Sequence, residues 1–223
     1  MLEVSLGRIR IKKKKPKIPN RLLNEPGVTV VSYDIVFEPL EDENKSLDPE
    51  LIREKQEIHD NLRENPKECS SRLAALIERY PDYPVLYNYL TVAYTLMGDK
   101  KKARDLILET YRRFPDYLFA KIAYVELCLQ EDKLDEIPRI LDNKYDLKFH
   151  YPDRTKFHIT EYTAFAGTVG FYLCRIGKPE VAKHYYETLK GLAPDDPQTK
   201  RLKRALKAGM ILAAIGELSK LSK

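Results

Sequence analysis

Pro81-Asp82-Tyr83 recurs as Pro115-Asp116-Tyr117, 34 residues further along the chain. A fixed period of this length marks stacked structural repeats. Each repeat is a supersecondary unit that buries its apolar face only against its neighbours. The two tripeptides therefore decide the class of fold, and the rest of the sequence can be tested against their spacing.

Counted from Pro84, Tyr87, Leu90, Thr91 and Tyr94 fall on a first helix, with Gly98 at the turn. Ala103 and Ile107 fall on a second helix, which Pro115 stops. Small residues let the two helices approach, and the aromatics fill the space between them. Glycine takes a left-handed turn cheaply, and proline cannot continue a helical hydrogen-bond ladder. The set returns as Gly177, Ala182 and Pro194, each 79 residues later, which is two periods plus an 11-residue insertion. Gly170, Leu173 and Tyr186 then take packing positions. A middle unit from Leu118 keeps Tyr124 and Leu141 but has Asp132 for the glycine and Ile137 for the alanine. Pro138 falls in the first turn of its second helix, where a missing N–H costs little. An earlier helix pair, near 49–64 and 67–79, places polar Arg53, Gln56, Glu57 and Asp60 at the packing slots. It reads as a terminal cap or a non-repeat pair.

This pattern resembles the tetratricopeptide repeat family over about residues 50–194, in two good units and two degenerate ones. Thr91 and Thr110 stand where Gly or Ala is usual. The resemblance implies a mostly α fold, a right-handed helical-repeat solenoid, with an extended or β segment before it. It also implies which residues line the concave face. These are Val85, Asn88, Val92 and Thr95 in the first good unit, and Phe119, Ile122, Glu126 and Leu129 in the next. The third contributes Ala164, Gly167, Phe171 and Cys174. Glu126 is the one charge among them, so the expected site is an apolar groove for a peptide or protein segment. A register slip of one residue would make the same positions core. The family's carboxylate-clamp subclass needs converging Asn and basic donors. Here Tyr89 holds the Asn slot, and the basic slots fall near Phe119 and Ala123, so no clamp is expected. The apolar lining is closer in chemistry to the repeat chaperones of bacterial secretion systems.

Three segments follow: a basic extension over 1–48, helical repeats over 49–194 with an insertion at about 142–161, and a capping helix with a basic tail over 195–223. Residues 1–27 carry eight Lys/Arg against Glu3 and Glu25, and residues 197–223 carry seven against Glu217. Each end is thus +6, and the rest of the +5 chain is net −7. The basic patch Lys12, Lys13, Lys14, Lys15 and Lys17 matches a short nuclear-import signal type, as well as a contact for phosphates or a solvated arm. A nucleic-acid-associated adaptor that uses the two basic ends is accordingly the alternative function.

Arg8-Ile9-Arg10-Ile11 alternates as a half-buried strand does. Val28–Phe37 is extended in character, with Val31, Tyr33, Ile35 and Phe37 on one face. Such a strand must pair with the Ile9 strand, lie along the helices or await a partner. One hypothesis makes it an intramolecular plug of the groove, tethered by the acidic linker Glu38–Asp48. The insertion mixes Tyr145, Phe149, His150, Tyr151, Phe157 and His158, which can stack on bases, bind a peptide or tuck over the degenerate unit. His150, Asp153 and His158 fit no standard metal spacing, so no metal is expected. In the last segment Leu202, Ala205 and Leu206 share a face opposite Lys/Arg, as a cap requires. Beyond them Met210, Ile211, Leu212, Ile215 and Leu218 form an apolar stripe that can dock on the third unit, pair with a second copy through 205–221, or lie on a membrane surface.

No enzyme or cofactor motif is present. Gly167-x-x-Gly170 lies in a helical pattern with no Lys-Ser/Thr after it, which points to close helix packing rather than a phosphate loop. Cys69, Cys128 and Cys174 are far apart and odd in number, which predicts free thiols in a reducing compartment: the cytoplasm, or the nucleus of a eukaryotic cell. The start lacks a long apolar core, so no cleavable leader is expected. The uncharged runs are too short for a bilayer span.

Overall fold

The computed structural model describes residues 33–40 and 47–221, with side chains up to residue 209. The strand expected at Arg8–Ile11, the basic patch Lys12–Lys17 and residues 28–32 lie outside the described residues.

The chain is mostly helical. Helices α1 (Pro49–Asn61) and α2 (Pro66–Arg79) form a hairpin, followed by α3 (Pro84–Leu96) and α4 (Lys100–Arg113). Helix α5 (Leu118–Gln130) leads through a 3-10 turn into one-turn α6 (Ile137–Ile140) and one-turn α7 (Leu147–His150). Helices α8 (Ile159–Arg175), α9 (Pro179–Leu192) and α10 (Pro197–Leu221) complete the array. Strands β1 (Asp34–Val36) and β2 (Lys156–His158) pair in parallel, Ile35 opposite Phe157.

The sequence period is repeated in the backbone. Tyr83 N–H donates to Tyr80 O, Tyr117 to Phe114 O and Asp196 to Ala193 O, at offsets of 34 and 79 residues. The interhelical turns match as well. Asp99 N–H donates to Tyr94 O at 2.9 Å, Lys133 to Cys128 O at 2.8 Å and Lys178 to Leu173 O at 2.8 Å. These bonds close a helix end through a left-handed residue. Gly98 (φ 74°) and Gly177 (φ 72°) supply that conformation in the good units, and Asp132 (φ 59°) supplies it in the degenerate one. Aspartate is one of the few side chains that tolerates this region, because its short carboxylate bonds locally.

The middle unit departs from the expected helix pair. Its second helix is cut to the four residues of α6, with Pro138 in the first turn and left-handed Asp142 and Asn143 just after it. Ile137, Ile140, Leu141, Leu147 and Phe157 are all buried to within 1% and join the buried residues of α5 in one apolar cluster. The insertion's aromatics meet several elements: Tyr151 donates to Asp116 O just before α5, Tyr145 stacks on Tyr172 and His150 meets Phe165 edge-on, both on α8, while Phe149 is exposed.

Two apolar clusters result. One joins Leu51, Ile58, Leu73, Leu76, Leu86 and Leu90 of α1–α3. The larger one gathers α5, the insertion, α8, α9 and the first half of α10. Helix α4 lies between them, with Ala103 and Thr110 buried. In α1 the buried residues are Leu51 and Ile58, with Leu62 buried just past its end, while Arg53, Gln56, Glu57 and Asp60 face solvent. The assignment of those four to packing slots is corrected: α1 is rotated so that its apolar stripe meets α2.

The plug hypothesis is also corrected. The described part of the segment, residues 33–37, lies against the insertion and not in the groove. Tyr33 donates to Asp146 Oδ2 at 3.2 Å and meets the Phe157 ring edge-on at 5.0 Å. The unsatisfied backbone of a lone strand is a strong demand, and β2 meets it.

Candidate functional site

Helix α3 has no charged residue over its thirteen positions. Leu86, Tyr87, Leu90, Thr91 and Ala93 are buried on one side. The opposite side presents Val85 and Asn88 half-buried and Val92 and Thr95 exposed, with Val92 at 39% and neighbouring Leu96 at 48% exposure. Residues three, four and seven apart share a helix face, so these positions form one neutral strip.

The adjoining strip on α5 is closed by internal partners. Ile122 and Leu129 are buried in the large cluster, while Phe119 stays half-buried beside the Tyr117 ring at 5.8 Å. Glu126 accepts from Arg201 Nη1 at 2.7 and 2.8 Å and from Thr168 Oγ1 at 2.6 Å. Lys121, the other charge of α5, is buried and paired with Asp142 at 3.1 Å.

On α8 the expected lining lies under α10. A Cβ on Gly167 would come within 2.5 Å of Gln198 Cβ, and one on Gly170 within 2.6 Å of Leu202 Cδ2. The glycines are where the two helices touch. Arg201 lays its guanidinium over Phe171 at 3.8 Å from the ring centroid. Ala164 and Cys174 are half-buried against the large cluster. Ile122, Leu129 and Gly167 are thus corrected from lining to core, and Glu126 and Phe171 from free surface to partners of α10. Of the expected lining, the α3 strip is what the array leaves open.

Arg201 is the residue that sequence reasoning missed. It stands 34 residues after Gly167, the same phase as Asn88 and Ile122. Carrying the period one unit past Pro194 would have placed it on the inner row, where Glu126 needed a partner.

No protein-family model, curated protein or solved structure matches the chain.

Other groups with possible chemistry are held in structural roles. His150 bonds Lys144 O at 2.9 Å and meets the Phe165 ring at 5.5 Å, and burial lowers its pKa. His158 bonds Phe37 O and caps α8 in a box with Glu161. Among the described residues no group of three His, Cys, Asp or Glu is placed to hold a metal. The Cys128 thiol is pushed up to about 11 by burial, and burial raises Cys69 and Cys174 as well. All three therefore stay protonated at neutral pH, and a thiol is a poor nucleophile. Among the described residues no helix is long and apolar enough to cross a membrane.

Proposed function

We propose that this chain is a non-enzymatic protein-interaction scaffold or chaperone of the tetratricopeptide-like kind, a right-handed helical-repeat solenoid that holds a peptide or protein segment against α3. The observation that carries the reading is the uncharged α3 strip, which exposes Val92 and Leu96 beside Asn88 and Thr95. Exposed apolar surface on a regular, rigid helix is costly unless a partner covers it. Both charges of neighbouring α5 are engaged internally, so an apolar segment laid along α3 meets no unpaired charge there. The repeat turns at 34- and 79-residue offsets support the solenoid part of the reading.

The test is selection of displayed peptides on the wild-type chain, followed by affinity measurement with Val92→Asp/Leu96→Asp. The substitutions sit at exposed positions, so the melting temperature should hold. Binding should fall at least about tenfold, the effect of burying an unpaired carboxylate, and should change little between low and moderate salt. Selected peptides that bind the double variant as well as the wild type would refute the α3 face.

A further inference from the structure

The 34-residue period lets one helix junction be compared with the next. Between α2 and α3, Leu73, Leu76, Leu86, Leu90 and Ala93 are all buried in one apolar cluster. The residues 34 positions later are Ile107, Thr110, Ala120, Tyr124 and Leu127, on α4 and α5. Two leucines are thus replaced by Thr110 and Ala120, while Ile107 and Tyr124 are only half-buried. None of the five belongs to the buried part of either cluster. Thr110 spends its hydroxyl hydrogen inside α4, on Leu106 O at 2.7 Å.

The contacts that cross from α4 to α5 are partly wet. Tyr111 meets Tyr124 at 4.9 Å between ring centroids, and Arg104 Nε donates to Glu131, just past the end of α5, at 2.7 Å. Both members of that ion pair are partly exposed, a setting in which such pairs contribute little. Each side is tied more firmly to itself. Tyr87 meets the Phe114 ring at 5.3 Å and accepts from Arg113 at 2.9 Å, which closes α3 on α4. Beyond the junction, Glu126 of α5 is held by Arg201 of α10. Among the described residues the first cluster has nine buried members and the second nineteen, so the first has the smaller margin over chain entropy.

We propose that the α4–α5 junction is a joint at which the chain opens: α1–α4 unfolds as one cooperative unit while the part from α5 onward stays folded. Native proteins open in contiguous units of unequal stability, and a boundary falls where buried apolar contact is interrupted. The α3 strip is carried wholly by the smaller unit, so the open state has no strip to offer, whatever the strip binds. Availability of that face is then set by the stability of four helices rather than by that of the whole chain.

The experiment is hydrogen exchange of the full chain, read by mass spectrometry of its fragments, in denaturant too dilute to unfold it. Amides inside α1–α4 should exchange as a group, at least about 100-fold faster than those inside α5, α8 and α9. Leu73→Ala, in the first cluster, should quicken α1–α4 by at least about 30-fold and leave α5, α8 and α9 as they were. Val169→Ala, in the second, should quicken α5, α8 and α9 and leave α1–α4 unchanged. If Leu73→Ala leaves the first unit unfolded outright, continued protection of α8 and α9 supports the joint equally. A single class of exchange rates from α1 to α9 would overturn the proposal. So would a Leu73→Ala variant that quickens α8 and α9 as much as α2 and α3, or a Val169→Ala variant that quickens α2 and α3.

Discussion

Arg201 Nη1 donates to both carboxylate oxygens of Glu126, 75 residues earlier in the chain, at 2.7 and 2.8 Å. The pair joins α5 to α10 across the face of α8, and the guanidinium also covers Phe171. Its two members are about a quarter and a fifth exposed, so the pair is neither fully screened nor fully desolvated. Arg201→Ala should lower stability by about 1–2 kcal/mol, through the lost charged bond and the uncovered ring. A double-mutant cycle with Glu126→Gln should show a coupling of about 1 kcal/mol in chemical denaturation. Zero coupling would mean that α10 is held by Leu202 and Leu206 alone.

The glycines of α8 and α9 should respond in opposite directions. Gly167→Ala and Gly170→Ala push a methyl into Gln198 and Leu202, and overpacking of this kind costs about 1–3 kcal/mol. Gly191 in α9 has open space around it and an ordinary helical conformation. Gly191→Ala should stabilise by up to about 1 kcal/mol through helix propensity. Melting curves of the three variants decide the matter, and a neutral Gly170→Ala would show that α10 packs less closely on α8.

Tyr33 ties the N-terminal strand to the insertion, and burial raises the pKa of its hydroxyl. Tyr33→Phe removes one hydrogen bond and leaves Asp146 Oδ2 without that donor, for an expected loss of about 1 kcal/mol. Tyr33→Ala also removes the ring from Phe157 and Tyr162 and should cost about 3 kcal/mol. Hydrogen exchange at Phe157 and His158 should quicken in the alanine variant. Unchanged protection there would show that β1 contributes nothing to the third unit.

His150 predicts an acid-side loss of stability. Burial lowers its folded pKa below the ordinary 6.5, so the unfolded chain takes up the proton first as pH falls. Its contribution is fully present above pH about 6.5 and declines from there toward the folded pKa. Asp142, held low mainly by its bond to Lys121, acts in a separate window: its contribution is lost only as pH falls below the ordinary 3.8 of an aspartate. The melting temperature should therefore drop between pH 7.5 and 5.5 in the wild type, and the drop should flatten in His150→Gln. Parallel curves would assign the slope to other groups.

The sequence by itself determined the periodic part of this protein. The offsets of 34 and 79 residues located the helix turns, because a left-handed residue and a helix-stopping turn are demanded by backbone geometry wherever one helix must reverse into the next. Gly98, Gly177 and even the substitute Asp132 could be read in place, and so could the close approach at Gly167 and Gly170. Residues 198–208 were legible as a cap because Leu202 and Leu206 repeat at helical spacing opposite the cations.

Tertiary structure decided what no local pattern encodes. Which face of an apolar helix stays open depends on its neighbours, and the helix that covers Gly167 and Phe171 comes from the far end of the repeats. The α8 strip therefore became core, while the α3 strip remained surface. The partner of Asp34–Val36 was decided the same way. Its pairing with Lys156–His158 is more than a hundred residues distant, and periodicity within a strand carries no information about which edge will satisfy its amides.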